Sequence, residues 1–339
     1  MRMRRWWIGA GLAGLAVAGV YAANASWVAP VPEGAPRLLA HRGVHQTYRR
    51  VANAMANCEA TRMNPPTNPY LENTLPSMQA SFAAGADAIE VDVHPTTDGE
   101  FAVFHDWVLE CKTNGRGVTR EQTMKHLRTL DLGHGYTADG GKTFPFRGKG
   151  VGMMKTLHEV LTAFPGKRIM INVKSADPWE SEQLVAYLKA RGHPIDGRLW
   201  VYAERGAHDR LRELAPRARV DSRTRAKACA TRYLALGWTG HVPAACRGAT
   251  LGVPLNLRHL YWGWPNRLLQ RMEAADVEVL LAGPLGQPEP GLAAIGQLNA
   301  VPERYSGMIL TDHIERLGPE VQRRWKDGPR PSTSFGTND

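Results

Sequence analysis

The stretch GADAIEVDVHPTTDG at residues 85–99 decides the fold. Its centre, IEVDV, alternates apolar β-branched residues with two carboxylates, Glu90 and Asp92. This pattern predicts a strand over residues 86–93 that ends in acidic side chains. Because alternate side chains of a strand share a face, Glu90 and Asp92 point to one side and the apolar residues between them point to the other.

Seven further short apolar runs predict strands, and helical patterns lie between many of them. The predicted strands span residues 37–40, 86–93, 100–104, 168–173, 198–203, 218–221, 277–282 and 307–311. Alternating strands and helices are typical of a parallel sheet covered by helices. The α/β pattern therefore predicts a (β/α)8 TIM barrel with long insertions after strands 1, 3 and 6. The structural alternative is a doubly wound open sheet, which is disfavoured because no dinucleotide fingerprint or P-loop follows a strand.

Composition agrees with one large domain. The chain has 339 residues, of which 43% are hydrophobic and 22% charged, and this excludes a disordered chain. Four cysteines are too few for a disulfide-rich miniprotein. The net charge of +10 comes from scattered lysines and arginines and suits a phosphorylated small molecule, anionic lipid or nucleic acid. Nucleic acid is disfavoured as a partner, because the sequence has no motif of interleaved basic and aromatic residues.

The start of the chain has the pattern of an export signal. Three arginines in the first five residues precede an uncharged run, and Ala23-Asn24-Ala25 fits a cleavage site. Residues 1–25 are therefore predicted to be a signal peptide or a membrane anchor, the anchor lying at residues 6–23 because this run nears the ~20 residues that a bilayer needs. Either reading predicts that the rest of the chain is exported to a periplasmic or extracytoplasmic location. It is then soluble if the signal is cleaved, or anchored to the inner membrane if it is not.

The predicted domain boundaries follow from this leader. The barrel is expected to span residues 36–320. A Pro-, Ser- and Gly-containing tail at residues 326–339 is predicted to be disordered.

Polar residues follow several predicted strands at the point where each strand ends. They are His41, Arg42, Glu90, Asp92, His105, Asp106, Asn172, Lys174 and Asp312. The active sites of TIM barrels lie at these carboxyl ends. Two carboxylates on one face repel unless a cation lies between them, and hard oxygen ligands favour Mg²⁺ or Ca²⁺. Together with histidines for acid–base work and fixed positive charges, this set suits a reaction at an anionic phosphorus centre.

Five motifs in this order resemble the signature of the glycerophosphodiester phosphodiesterases. They are AHRG at 40–43, ENT at 72–74, GADAIEVDVHPTTDG at 85–99, FHD at 104–106 and GMILTD at 307–312. The resemblance implies a TIM barrel, a divalent cation, and hydrolysis of a glycerophosphodiester to an alcohol and glycerol 3-phosphate, as in glycerophospholipid degradation. It implies His41 and His105 as the catalytic pair, Glu90 and Asp92 as metal ligands, Arg42 and Lys174 as phosphate contacts, and Glu72 as a further ligand or a neighbour of the metal site.

One position departs from the family pattern. The family usually has a Glu two residues before the lysine of the fourth strand, where this chain has Asn172. Its amide oxygen is expected to ligate the metal without adding charge, which predicts weaker metal binding. The first attack is expected from a neighbouring glycerol hydroxyl, through a cyclic phosphate, or directly from water, and either histidine can be the acid or the base.

Two other functions stay open at this stage. The first is a phospholipase D-like or lysophospholipase D-like enzyme on the same fold. The second is a non-catalytic barrel whose metal site is weakened by Asn172.

The four cysteines are assigned from their places in the predicted barrel. Cys58 and Cys111 lie in loops that rise from the same rim, and Cys229 and Cys246 share the segment after strand 6. In an oxidising compartment we therefore expect the disulfides Cys58–Cys111 and Cys229–Cys246.

Overall fold

The computed structural model describes residues 2–49, 58–287 and 289–326. Beyond Lys326, the predicted disordered tail lies outside the described residues. Within the part of the chain that is described, no helix is both long and apolar enough to cross a membrane.

Eight parallel strands form a nearly closed barrel, as predicted, and a ninth strand lies beside it. The strands are β1 (Arg37–His41), β2 (Ala88–Pro95), β3 (Phe101–Val103), β4 (Arg168–Val173), β5 (Trp200–Tyr202), β6 (Arg219–Asp221), β7 (Thr250–Pro254), β8 (Glu278–Ala282) and β9 (Met308–Thr311). Around the barrel their order is β6-β5-β4-β2-β1-β9-β8-β7, and β3 pairs with β2 alone.

The third predicted strand is not a barrel strand. β3 runs antiparallel to β2, with Val93 opposite Val103, and forms a hairpin at the rim. The prediction was wrong here because an apolar run of this length does not show whether its partner is parallel or antiparallel. The barrel instead passes directly from β2 to β4, where Asp92 pairs with Asn172.

The missing eighth strand lies in the segment that was predicted to be an insertion after strand 6. β7 has the sequence TLGVP and pairs in parallel with β8. Gly252 and Pro254 make it a poor strand by composition, since both residue types are depleted in strands. Its place in the barrel is therefore determined by its neighbours.

Nine α-helices accompany the strands in the described residues. They are α1 (Arg2–Asn24), α2 (Leu75–Ala83), α3 (Met124–Leu127), α4 (Leu157–Ala163), α5 (Pro178–Ala190), α6 (Arg205–Leu214), α7 (Arg223–Leu236), α8 (Asn266–Glu273) and α9 (Ile314–Arg324). Side-chain caps begin several of them: Thr74 caps α2, and Thr156 with Glu159 forms a capping box on α4.

Side chains bridge the gap between β6 and β7. Among the described residues, no hydrogen-bonded ladder joins β6 to β7. The Asp221 carboxylate accepts hydrogen bonds from the Thr250 backbone N–H at 2.8 Å and from its hydroxyl at 2.6 Å. The Arg219 guanidinium donates to the Ala249 carbonyl at 2.8 Å. These bonds satisfy strand edges that the ladder leaves open.

The interior of the barrel is layered. A middle layer of apolar side chains separates two charged ends; it contains Leu39, Ala88, Met170, Trp200, Leu280, Met308 and Leu310. Below it, at the amino ends of the strands, lies an ionic layer of Arg37, Arg168 and Glu278. Above it, at the carboxyl ends, lie the predicted site residues. The larger apolar core lies between the outer face of the sheet and the helices.

The loops after β1 and β3 share a smaller core of their own, which includes Met63, Leu109 and Tyr136. The Cys58–Cys111 disulfide joins these two loops, and Cys229–Cys246 joins α7 to the segment before β7. Both predicted disulfides are confirmed.

Candidate active site

The register of β2 between its neighbours assembles the acidic centre. His41 of β1 pairs with Glu90, and Asp92 pairs with Asn172 of β4. Glu90 and Asp92 are almost fully buried. The Asn172 amide nitrogen donates to Glu90 Oε1 at 2.9 Å and to Asp92 Oδ1 at 3.0 Å, and it therefore bridges the two carboxylates.

His41 stands beside this centre with its ring held from behind. Its Nδ1 lies 2.7 Å from Oδ1 of Asp312, which follows β9, and its Nε2 lies 4.0 Å from Glu90 Oε2. Burial and the Arg42 guanidinium act to lower the pKa of His41, but the Asp312 and Glu90 carboxylates outweigh them, so the pKa is raised. The bond to Asp312 leaves Nε2 as the nitrogen that faces the acidic centre.

His105 has the same kind of support from a different direction. Its Nδ1 lies 2.7 Å from Oδ1 of the adjacent Asp106, on the loop that follows β3. Burial lowers the pKa of His105, and the Arg42 guanidinium lowers it further. The two imidazoles thus share one arrangement, a carboxylate on Nδ1, although their elements differ.

Arg42 is held in a left-handed turn directly after β1, with φ of 58°. This uncommon conformation lets its backbone N–H donate to the Glu90 carbonyl at 3.1 Å, while its Nε lies 3.4 Å from Asp92 Oδ2. At the next position Gly43 also has positive φ, and a Cβ there would collide with Ser77. The turn therefore requires glycine after Arg42.

Two further side chains complete the surroundings of Asp92. Lys174 Nζ donates to Asp92 Oδ1 at 3.2 Å. The Asn73 amide donates to Asp92 Oδ2 at 3.0 Å and its oxygen accepts from the Asp92 backbone N–H at 3.1 Å. Burial alone would raise the pKa of Asp92, but the positive charges of Lys174, His105 and Arg42 hold it well below its usual value.

Glu72 lies in a second cluster, around the ammonium of Lys112. Lys112 Nζ donates to Glu72 Oε1 at 2.7 Å, to Asp106 Oδ1 at 3.0 Å and to Glu59 Oε2 at 3.1 Å. Arg42 connects this cluster to the acidic centre, since its Nη1 lies 3.6 Å from Glu72 Oε1. The structure thus places Glu72 in the cluster around Lys112, with Arg42 between it and Asp92, and its role toward a metal stays a prediction.

The residues at the acidic centre fit a divalent cation. Burial and the neighbouring Asp92 carboxylate raise the pKa of Glu90, so a cation close to Glu90 would relieve this carboxylate. Rotating the Asn172 amide by half a turn would present its oxygen in place of its nitrogen. Glu90, Asp92 and Asn172 would then offer only oxygen ligands, as Mg²⁺ and Ca²⁺ prefer. The group Glu59, Glu72, His105 and Asp106 has the spacing of a metal site, and the Lys112 ammonium donates to its three carboxylates.

Every predicted site residue thus lies at the carboxyl end of the barrel. Reasoning from sequence assigned no role to Asp106, Asp312, Asn73, Lys112 or Glu59. Asp106 and Asp312 stood inside motifs already quoted, FHD and GMILTD, and Asn73 stood inside ENT. No local pattern pointed to Lys112 or Glu59, whose role depends on contact between two loops.

An acidic centre flanked by histidines at the carboxyl rim of a barrel suits acid–base hydrolysis at a phosphorus centre. Residues 41–237 match the model of the glycerophosphoryl diester phosphodiesterase family. The chain belongs to this family.

Individual proteins are similar to this chain in sequence or in fold. A glycerophosphodiester phosphodiesterase from Caldanaerobacter subterraneus is 33% identical over 103 residues, which is 30% of this chain and 39% of the relative. The glycerophosphoryl diester phosphodiesterase domain of an uncharacterised Mycobacterium tuberculosis protein has the same fold, with a TM-score of 0.58, 16% identity, and coverage of 84% of this chain and 98% of that one. A phosphodiesterase from Oleispira antarctica, solved with the product sn-glycerol-3-phosphate, matches with a TM-score of 0.50 at 17% identity over 86% and 96%.

Proposed function

We propose that this protein hydrolyses glycerophosphodiesters to an alcohol and glycerol 3-phosphate with the help of a divalent cation. The observation that supports it best is the pair of partly buried imidazoles, each bound through Nδ1 to an aspartate at 2.7 Å, at the rim of the Glu90–Asp92 centre. The name of the Caldanaerobacter relative and the product bound to the Oleispira enzyme support the same substrate class.

The side chains have separate tasks in this proposal. Arg42 and Lys174, both beside Asp92, hold the phosphoryl oxygens. One imidazole takes the proton of the attacking hydroxyl, and the other gives a proton to the leaving alcohol through Nε2. Asp312 and Asp106 keep the rings in the tautomer that leaves Nε2 to react. A cation bound by Glu90, Asp92 and Asn172 would neutralise charge that develops on the phosphoryl group.

Metal removal tests the proposal. The purified protein is treated with a chelator and assayed with glycerophosphocholine and with lysophosphatidylcholine after Mg²⁺ or Ca²⁺ is added back. We expect glycerol 3-phosphate from glycerophosphocholine in the presence of metal only. Faster release of choline from lysophosphatidylcholine would favour the lysophospholipase D-like alternative. No hydrolysis at any metal concentration by folded protein would indicate a non-catalytic barrel.

We also propose that the protein works outside the cytoplasm. Two disulfides support this location, because disulfides persist in oxidising compartments. Cleavage of residues 1–25 and anchoring through residues 6–23 stay predictions. Fractionation of cells and N-terminal sequencing of the mature chain test them; a full-length protein in the cytoplasmic fraction would contradict export.

A further inference from the structure

We propose that Lys112 is a positioning residue for His105, and that the Cys58–Cys111 disulfide holds it in that position. This inference rests on the proposed function, since it concerns how one of the two reacting imidazoles is oriented. It assigns a task to a buried lysine and to a disulfide that the hydrolytic scheme alone does not use.

Burial and contacts first show what Lys112 does. Only 1% of its side chain is exposed, and its ammonium donates to three carboxylates within 3.1 Å. An ammonium has three N–H donors, so these bonds use all of them. The three carboxylates raise the pKa of Lys112 well above its ordinary value despite the opposing effect of burial, so the side chain stays charged. It therefore occupies the place that a cation would take among these acids.

Lys112 acts on His105 through Asp106, whose carboxylate contacts both side chains. Asp106 Oδ1 is shared: it accepts from Lys112 Nζ at 3.0 Å and lies 2.7 Å from His105 Nδ1. With its carboxylate fixed from two sides, the imidazole has one tautomer and one orientation. Without Lys112, Asp106 would remain beside Glu59 and Glu72, which Arg42 contacts at 3.4 and 3.6 Å. Three carboxylates would then share one guanidinium, and the excess negative charge would push Asp106 aside.

The disulfide stands directly beside this arrangement. Cys58 precedes Glu59 and Cys111 precedes Lys112, so the S–S bond joins the two residues next to an ion pair of 3.1 Å. Cys58 Sγ also lies 3.4 Å from the Cys111 carbonyl. Glu59 comes from the loop after β1 and Lys112 from the loop after β3, and the covalent link keeps both at contact distance.

Two equivalent His–Asp bonds make a direct test available. In wild-type protein, the Nδ1 protons of His41 and His105 are expected to give two low-field NMR resonances, assigned by their loss in His41→Ala and His105→Ala. In Lys112→Met we expect the His105 resonance to broaden or disappear while the His41 resonance stays as an internal control. Lys112→Arg, which keeps the charge, should retain both. An unchanged His105 resonance in Lys112→Met would overturn the proposal.

Kinetics provide the second readout. Lys112→Met is expected to lower kcat by about 10²-fold with KM nearly unchanged, as for a misplaced reacting group. In a His105→Ala background it should cause no further loss, because a residue that acts through His105 has nothing left to position. Additive losses would overturn the proposal. If wild-type protein hydrolyses no diester, the proposed function fails, whereas the NMR comparison still decides the role of Lys112.

Milder variants guard against loss of folding. Glu59→Gln removes the charge of one of the three carboxylates that bind Lys112, and Glu59 is only partly buried. The His105 resonance should broaden in this variant as in Lys112→Met, but to a smaller extent. Cys58→Ser/Cys111→Ser should do likewise, with a smaller fall in kcat than Lys112→Met. The matched control is Cys229→Ser/Cys246→Ser, which should leave the resonance and kcat unchanged. If the two disulfide variants had the same His105 resonance and the same kcat, the proposed role of Cys58–Cys111 in holding Lys112 would be overturned.

Discussion

Glu278 at the amino end of the barrel and Glu90 at the carboxyl end are both buried, but their surroundings have opposite effects on their charge. At the amino end, Glu278 is matched by two guanidiniums, with Arg37 Nη2 at 2.5 Å and Arg168 Nη1 at 3.0 Å. At the carboxyl end, Glu90 has the Asn172 amide and an imidazole 4.0 Å away, and its pKa is raised. The apolar middle layer keeps the two ends apart.

This difference indicates that Glu278 serves stability and that Glu90 serves the proposed reaction. Burial would raise the pKa of Glu278, but Arg37 and Arg168 reverse the effect and lower it, so the charge is satisfied within the fold. At Glu90 burial and the Asp92 carboxylate raise the pKa instead, and the cation proposed above would balance this carboxylate. Substitutions at the carboxyl end should therefore change catalysis, and those at the amino end should change stability.

The largest effect is expected from His41→Ala. Because His41 is a proposed acid or base, kcat should fall by about 10²–10⁴-fold, while thermal unfolding changes little. Steady-state assays with glycerophosphocholine measure this, and His158→Ala, which breaks a His–His contact outside the site, is the matched control. Activity retained in His41→Ala would remove this residue from the reaction.

Glu278→Gln should have the opposite profile. It leaves the partly buried guanidiniums of Arg37 and Arg168 without their carboxylate, which costs up to about 3–5 kcal/mol of unfolding free energy. Because the folded pKa of Glu278 is lowered, its stabilisation is present above the unfolded value of about 4.3 and is lost as pH falls through the folded value. Denaturant titrations at several pH values in that range should show that the unfolding free energy of the variant falls less steeply with decreasing pH than that of the wild type. A fall in kcat at equal folded fraction would contradict the separation of the two ends.

Removing the Cys229–Cys246 disulfide should also act on stability alone. The link closes a short segment of the chain, with a sequence separation of 17, so Cys229→Ser/Cys246→Ser should lose about 2–3 kcal/mol. Because Cys229 lies in α7 and Cys246 precedes β7, whereas the histidines lie at the carboxyl ends of the strands, we expect kcat to be unchanged. Chemical denaturation and assays of the same preparation check both expectations, and a catalytic defect would refute them.

Asn172→Asp is expected to have the smallest effect. A third carboxylate beside Glu90 and Asp92 should lower the metal concentration for half-maximal activity by about tenfold, since charge count tunes such sites. Without metal, the same change adds repulsion between groups now 2.9–3.0 Å apart and should lower the melting temperature. Activity titrated against Mg²⁺ and melting with and without metal measure the two effects. Unaltered metal dependence would exclude residue 172 as a ligand.

The sequence by itself determined the acidic strand and the parallel barrel. Alternation along IEVDV places Glu90 and Asp92 on one face whatever surrounds them, because the period of two is a property of the extended backbone. The position of the motifs at the ends of predicted strands also predicted that the site residues lie at one rim of the barrel. Hydrophobic patterns also predicted eight barrel strands, but the predicted set included β3, which is not a barrel strand, and lacked β7, which is one.

Only the tertiary structure decided the rest. β7 forms because β8 supplies its partners, against the preference of Gly252 and Pro254. Asp312 meets His41 across 271 residues, and Lys112 meets Glu59 across 53. Local sequence encodes periodicity and caps, whereas such contacts depend on how strands close and loops fold over them. The acidic pair could therefore be predicted from neighbouring residues, and the groups that orient the histidines could not.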